Sequence, residues 1–493
     1  MSELKSLAKN TSLLAGTRVV QFLAGLFKVK IIASILDTTG VGIFDQLNFL
    51  NNKLAQFTTV GTVEGFIKQL VQIKNEENSK KAMQSAFKSY TLVILAFLII
   101  SFIFLIIFPD YLNNKIFGEN ANKLYYVITL ITFPILILIS YPFSILKALT
   151  DFKGLSQARI IIVLLQLIIT VPIIYKYKLL GAAVTVFIST LIELIVNYSF
   201  AKKYFEKYDI TFSSIWNAPL VPVFLKEIYL FSGFGLIIGT YQIVSEFICR
   251  SIVANKLGVS AIGIYSPVIL IASIFTGFIL PSLSNYLYPR FCEVKSNSEI
   301  VSILNDAIRL FSIILVPFMF IIIPYRELFI SLIYSKNFFE CEKYMPFHLI
   351  GNVFYIWFYI LAQYLSPQGK IKIHGIFMIF YFTLDIIVTF LLVTNFGLYS
   401  WMLKHIISPF VFFFVYLIYS YLDIGFILKI GNIILMLYII LGSIFLFAIQ
   451  KYYIHNYFII SLIVLLTLCC SYFLLKTNEK QYIANKIESI KYK

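Results

Sequence analysis

Apolar stretches of roughly 20 to 29 residues, parted by short polar breaks, run along the whole chain. They lie at about 12–36, 41–67, 82–108, 124–149, 154–175, 180–202, 225–250, 261–289, 301–323, 344–366, 371–393, 398–421, 431–450 and 455–476. Each is long enough to cross a hydrocarbon core of about 30 Å as a helix. A segment surrounded by lipid must be helical, because only a helix satisfies its own N–H and C=O groups. The pattern predicts an all-α integral membrane protein of about fourteen transmembrane helices. Composition agrees: 60% of the 493 residues are hydrophobic and 13% charged, against about 25% charged in soluble domains. A soluble enzyme, a disordered chain and a disulfide-stapled secreted domain are excluded. The first apolar segment starts near Thr11 and runs too long for a signal-peptide core. Cys249, Cys292, Cys341, Cys469 and Cys470 have neither metal-ligand nor CxxC spacing, so no metal and no cofactor is expected.

Net charge is +16. In a soluble chain that would suggest nucleic acid; here it sets orientation, and no nucleic-acid partner is expected. The N-terminal segment, the loops 68–81, 147–159, 202–226, 290–295, 370–372 and Lys429, and the tail from Lys476 hold 23 of the 40 Lys and Arg. The alternate loops hold nine: Lys115, Lys123, Lys176, Lys178, Lys256, Arg326, Lys336, Lys343 and Lys451. Cations accumulate on the cytoplasmic side, which puts both termini in the cytoplasm. The location expected is a bacterial inner (plasma) membrane. The remaining eight cations, Arg18, Lys28, Lys30, Lys53, Lys88, Arg250, Arg309 and Lys404, fall inside predicted helices. A charge there is costly and usually faces protein or a wet cavity.

The two halves of the chain resemble each other. Ile32-Ala33-Ser34-Ile35-Leu36-Asp37-Thr38-Thr39-Gly40-Val41-Gly42-Ile43-Phe44 matches Val253-Ala254-Asn255-Lys256-Leu257-Gly258-Val259-Ser260-Ala261-Ile262-Gly263-Ile264-Tyr265 at an offset of 221. Gln21 with Gln242 and Lys88 with Arg309 keep that offset. Ile116-Phe117-Gly118-Glu119-Asn120 matches Ile333-Tyr334-Ser335-Lys336-Asn337 at 217, as does Lys153 with Lys370. The four-residue change is about one helical turn. The repeat unit is six helices, an even number, so both copies enter the membrane in the same direction, the parallel-repeat case. The expected architecture is two six-helix bundles, 1–215 and 216–421, around a central cavity. Two further helices at 422–476 and a basic cytoplasmic tail at 477–493 follow.

Several helices carry polar stripes. Asn48, Asn52, Gln56 and Thr59 share one face of the second helix, at helical spacing. Such a stripe faces a hydrated cavity or hydrogen-bonds a neighbouring helix. Arg18, Gln21, Gly25 and Lys28 form a stripe on the first helix, and Gly239, Gln242, Glu246 and Arg250 one on the seventh. Glu246 and Arg250 are four apart and can pair. Lys88 and Arg309 sit early in their helices, where interfacial anchoring is the better reading. Lys404 can line a cavity or snorkel. Intramembrane carboxylates lie at Asp45, Glu64, Glu193, Glu246 and Asp385; Glu64, Glu193, Glu246 and Asp385 are the candidate ion-coupling groups, since a buried acid exchanges protons or cations with conformation. The plainer reading for each is a satisfied interhelical hydrogen bond. Pro267 and Pro281 in the eighth helix supply a site for a bend. No HExxH, GxSxG or P-loop occurs, and the outer loops, the longest near 109–123 and 324–343, are short. No catalytic residue is assigned and the chain is expected not to be an enzyme.

Lys9-Asn10-Thr11-Ser12-Leu13-Leu14, then Ala33-Ser34-Ile35-Leu36 and Gly42-Ile43-Phe44, within six plus six parallel helices, resembles the multidrug/oligosaccharidyl-lipid/polysaccharide flippase superfamily. The Wzx-type polysaccharide flippases are the nearest branch. The family's Ala-x-x-Leu-Gly-x-x-x-x-Gly loop is matched fully by Ala254, Leu257, Gly258 and Gly263. In the first copy Asp37 replaces the first glycine. The resemblance implies a flippase for oligosaccharide repeat units, such as those of O-antigen or capsule, carried on undecaprenyl pyrophosphate. Partners would be that lipid-linked glycan, membrane lipids and polysaccharide polymerase machinery. Cations would hold the phosphates, with Arg18, Lys28, Lys53 and Arg250 as the candidates. Gln21, Asn48, Asn52, Gln56 and Gln242 would line the cavity. Thr17-Arg18-Val19 and Glu64-Gly65 also echo segments of peptidoglycan-precursor flippases. That substrate is one alternative, a cation-coupled multidrug antiporter another, and a membrane polysaccharide polymerase a third.

Overall fold

The computed structural model describes residues 2–475 apart from positions 60, 77, 108, 119–121, 295 and 453–455, with Glu479 beyond them. For 2–15, 18, 227–234, 275, 452, 457 and 473 only the backbone is described. The basic tail at 477–493 lies outside the described residues apart from Glu479. Among the described residues every regular element is a helix.

The first crossing is α1 (Ser2–Ile35). The second comes in two pieces, α2 (Thr38–Thr59) and α3 (Thr62–Ile73), broken at Gly61, whose φ of 70° suits a residue without Cβ. The third is α4 (Ser79–Ile107), followed by the short α5 (Pro109–Phe117). The fourth is α6 (Lys123–Leu138) continued by α7 (Ser140–Ala148). The 56-residue α8 (Phe152–Lys207) would extend about 84 Å if straight, far more than a bilayer. It holds the fifth and sixth crossings, and the chain reverses at Lys178, where φ is 49° and ψ −125°. The short α9 (Phe212–Asn217) leads to α10 (Pro222–Leu257), α11 (Val259–Glu293) and α12 (Asn297–Ile322). Next come α13 (Arg326–Ile333), a 3-10 turn (Lys336–Lys343) and α14 (Met345–Ala362). The last crossings are α15 (Ile371–Phe396), α16 (Tyr399–Ile424), α17 (Ile430–Tyr452) and α18 (Tyr457–Phe473).

Ten of these helices are long and apolar enough to cross a membrane, with Phe458–Tyr472 a shorter apolar helix. Because α8 crosses twice, these helices, α1 and the α2–α3 pair account for the fourteen crossings read from hydropathy. Ile168, Phe390, Leu422 and Ile430 are each more than 60% exposed, a cost of about 1.5–3 kcal/mol per side chain in water that vanishes against lipid. The chain is a multi-pass membrane protein.

The chain divides into two compact units, 1–266 with 333–338, and 267–332 with 339–493. In the first, Phe66, Phe87 and Tyr90 are fully buried, and the Phe66 and Tyr90 rings stack 4.2 Å apart. In the second, Trp357, Phe358 and Tyr416 fill the core, and the Trp357 indole N–H donates to Ser312 Oγ at 3.0 Å.

The first unit contains a close helix crossing built from the two copies of the repeated motif. A Cβ on Gly42 would strike the Val259 carbonyl oxygen, and one on Gly263 would strike the Thr38 carbonyl oxygen. Val259 is Thr38 displaced by 221 positions, and Gly263 is Gly42 displaced by the same number. Each copy therefore presents the same two positions to the other, which is the isologous pattern of a two-fold contact. Small residues let helix backbones approach this closely within a membrane.

Two cations have firmer roles than interfacial anchoring. Arg309 is buried, because its guanidinium donates to both carboxylate oxygens of Glu479 at 2.6 and 2.9 Å and to the Leu474 carbonyl at 2.8 Å. It ties α12 to the segment after α18. Lys88 donates to the Trp216 and Ala218 carbonyls at 2.8 and 2.7 Å, holding the C-terminal end of α9. Lys404 is buried in the second unit, 5.9 Å from the Trp401 ring.

Candidate functional site

The polar face of α1 and the middle of α2 meet α8 inside the first unit, and the space between them is hollow. Two adjoining chambers of about 150 and 350 Å³ share Gln166 and Glu193 in their walls. The smaller is lined by Lys28, Asn48, Asn51, Asn52 and Ser189, the larger by Gln21, Arg159 and Asn197. These side chains come from four stretches of chain that helical spacing turns inward: Gln21 and Lys28 on α1, Asn48 and Asn52 on α2, Arg159 and Gln166 on the first crossing of α8, and Ser189, Glu193 and Asn197 on its second.

Hydrogen bonds fix much of the lining. Lys28 Nζ donates to Ser189 Oγ at 3.3 Å, and Gln166 Nε2 to the Ser189 carbonyl at 3.1 Å. Asn48 and Asn51 each donate to the carbonyl four residues back at 2.9 Å, as does Asn197 to Glu193 at 2.8 Å. These amides spend donors on their own helices, leaving carbonyl oxygens for the cavity or a neighbour. The Asn51 Oδ1 is buried without a hydrogen-bond partner. Arg159 lies near enough to Glu193 to interact with it electrostatically. With Lys28 and Arg159 against one carboxylate, the walls carry an excess of positive charge, which favours an anion.

A second polar group runs along the antiparallel contact of α2 with α10 in the same unit. Lys53 Nζ sits 2.8 Å from a Glu246 carboxylate oxygen and donates to Gln56 Oε1 at 3.3 Å. Gln242 Nε2 donates to the other Glu246 oxygen at 3.0 Å. One turn toward the motif, Arg250 donates to Gln46 Oε1 at 3.1 Å, and its guanidinium carbon lies 4.3 Å from the Phe49 ring centre. Gln46 in turn donates to the Ile116 carbonyl at 3.0 Å. Nearest the glycine crossing, Ser266 Oγ donates to Asp45. Ser266 is itself Asp45 displaced by 221, so this bond belongs to the same two-fold contact.

The structure thus divides the residues singled out in the sequence. Gln21, Lys28, Asn48, Asn52 and Glu193 surround the chambers. Lys53, Gln56, Gln242, Glu246 and Arg250 form the α2–α10 ladder. The four candidate phosphate cations are therefore not gathered at one point, and the Arg18 side chain lies outside the described residues. Glu64 stands exposed in the first turn of α3, and Asp385 is buried on α15 in the second unit; neither lines the chambers. Glu246 takes a cross-helix hydrogen-bonded ion pair with Lys53, although Arg250 lies four residues away on its own helix and feels its charge. Arg159 and Gln166 were not singled out from the sequence, because Arg159 fell at the edge of a loop window. Their seven-residue spacing, two turns on one face, was the available signal.

A family profile described as polysaccharide biosynthesis protein matches residues 50–343, more than half of the chain. The chain belongs to the polysaccharide biosynthesis protein family. No curated protein matches it. Among solved structures, the lipid II flippase MurJ in an inward closed conformation is 18% identical, with a TM-score of 0.66 over 93% of this chain and 97% of that one. An inward-facing multidrug resistance MATE family transporter of the MOP superfamily is 15% identical, with a TM-score of 0.63 over 82% and 94%. MATE in a bent conformation is 14% identical, with a TM-score of 0.54 over 83% and 92%. The fold of this polysaccharide biosynthesis protein is that of the MOP-superfamily transporters, as the repeated motif implied.

Proposed function

We propose that the protein is a flippase that carries undecaprenyl-pyrophosphate-linked oligosaccharide repeat units from the cytoplasmic to the outer leaflet for surface polysaccharide synthesis. The observation that carries this reading is a membrane-embedded cavity with excess positive charge in a chain of the polysaccharide biosynthesis family. A pyrophosphate joined to a glycan cannot cross hydrocarbon unaided. It needs fixed cations for the phosphates and polar groups for the sugars, while its polyprenyl tail stays in lipid. Lys28 and Arg159 are the cations for the first task, with Lys53 and Arg250 along the route. Movement of the 1–215 lobe against the 216–421 lobe would expose the site to each side in turn. The substrate moves that equilibrium only through its different affinity for the two states. The termini face the cytoplasm, and the protein acts as a transporter rather than as an enzyme.

The test is surface polysaccharide in cells carrying only Lys28→Ala or Arg159→Ala. Export is expected to fall at least about tenfold, the loss of one charge-assisted contact worth about 1.5–3 kcal/mol, with the protein still abundant in the membrane. Normal polysaccharide from both variants would remove the cations from the mechanism. Coupling to an ion gradient is assigned to Glu193, the one carboxylate in the chambers among the described residues. Glu193→Gln is expected to leave lipid binding intact and to abolish the response of export to a dissipated proton or sodium gradient. An unchanged response would assign coupling elsewhere.

A further inference from the structure

The second unit holds a cavity of a different chemical kind. About 400 Å³ in volume, it opens between the C-terminal half of α11, the C-terminal end of α14 and the start of α15. Ser284, Asn285, Tyr288, Tyr359, Gln363 and Ser366 supply its polar lining, with His374 at the α15 edge. No Asp, Glu, Lys or Arg is among the described residues that line it. Ser284 Oγ and the Tyr359 hydroxyl are 2.8 Å apart and hydrogen-bonded. His374 Nδ1 is 2.8 Å from the Tyr416 hydroxyl, which fixes its ring. Tyr288 is half exposed and lines the pocket, and Tyr355 stacks nearly parallel to Tyr359, their ring centres 6.2 Å apart.

This lining decides between ligand classes. A phosphate is best held by a cation and a cationic drug by a carboxylate; neither charge is found among the described residues that line the wall. A lipid tail would leave two amides and several hydroxyls unpaired at a cost of about 1–3 kcal/mol each. A neutral sugar matches on every count. Its ring has C–H faces that lie against tyrosine and a rim of hydroxyls that both donate and accept. Asn and Gln side chains each offer a donor pair and an acceptor to adjacent hydroxyls. The volume falls within the range of small-molecule sites.

We propose that this uncharged pocket binds a neutral sugar of the glycan. The inference rests on the flippase reading and deepens it by assigning the glycan its own contacts. Asn285 and Gln363 are the residues that discriminate sugar from water, and Tyr288 supplies the stacking face.

The experiment compares two probes on the full-length protein in lipid nanodiscs: undecaprenyl pyrophosphate, and the same lipid bearing one N-acetylglucosamine. The wild-type protein is expected to bind the sugar-bearing lipid about tenfold or more tightly, as loss of one or two hydrogen bonds to a substrate hydroxyl implies. In Gln363→Leu and in Asn285→Leu that preference is expected to shrink to about twofold or less, with affinity for the bare lipid unchanged. Unchanged bare-lipid binding also reports that each variant is folded. Wild-type protein that binds both lipids equally overturns the sugar pocket, as does a preference that survives in both variants. Wild-type protein that binds neither lipid overturns the flippase reading itself, a failure visibly different from the other two.

Discussion

Gly263→Leu is expected to abolish polysaccharide export while leaving the protein in the membrane. The Thr38 carbonyl oxygen occupies the place where a Cβ would go, and a backbone atom cannot rotate aside as a side-chain end can. The helices must separate. Overpacking of this kind costs about 1–3 kcal/mol or more, which displaces a conformational equilibrium by about 5- to 150-fold. In the proposed orientation the crossing lies near the outer surface, so separation holds that side open. Buffer-soluble thiol reagents should then reach a cysteine placed at Gln46 in the Gly263→Leu background and not in the parent. Gly25 on α1 has no atom within 4 Å of where its Cβ would sit, and Gly25→Ala should export normally. Export near the parent level from Gly263→Leu would mean the crossing never needs to close.

Charge reversal in the α2–α10 ladder gives the second large effect. Lys53→Glu sets two carboxylates against each other where an ion pair stood at 2.8 Å, and Glu246→Lys does the same with two ammonium groups. Both side chains are only 20% and 36% exposed, so water screens the repulsion weakly. Each single reversal is expected to reduce export at least about tenfold, equivalent to about 1.4 kcal/mol. The double exchange, Lys53→Glu with Glu246→Lys, restores opposite charges and should recover much of that loss. Such recovery is the signature of direct coupling. A double variant no better than the worse single one would show that the two residues act on the substrate separately.

The spans, their number and the family were legible because hydropathy and a repeated motif are local properties of the chain. Gly61 breaks the second span for a local reason too, a positive φ. The chambers were legible in part, since Gln21, Lys28, Asn48, Asn52 and Glu193 each belong to a stripe with helical spacing. Pairing between helices was not. Sequence proximity favours Glu246 with Arg250, yet α2 brings Lys53 closer, while Gln46 and Phe49 engage the guanidinium. Arg309 looked like an interfacial anchor because its partner, Glu479, lies 170 residues away. The uncharged pocket of the second unit was not read from the sequence, although Tyr359, Gln363 and Ser366 fall at i, i+4 and i+7, because short runs of uncharged polar residues in apolar helices stand out less than charges do.

The glycine crossing also bears on how such a chain arose. Thr38 meets Gly263 and Val259 meets Gly42, so each motif touches its twin through identical positions. A half-length ancestor of six helices could make that same contact with a second copy of itself before its gene was duplicated and fused. Asp45 and Ser266, at equivalent positions of the two copies, are unlike residues that hydrogen-bond each other across the contact.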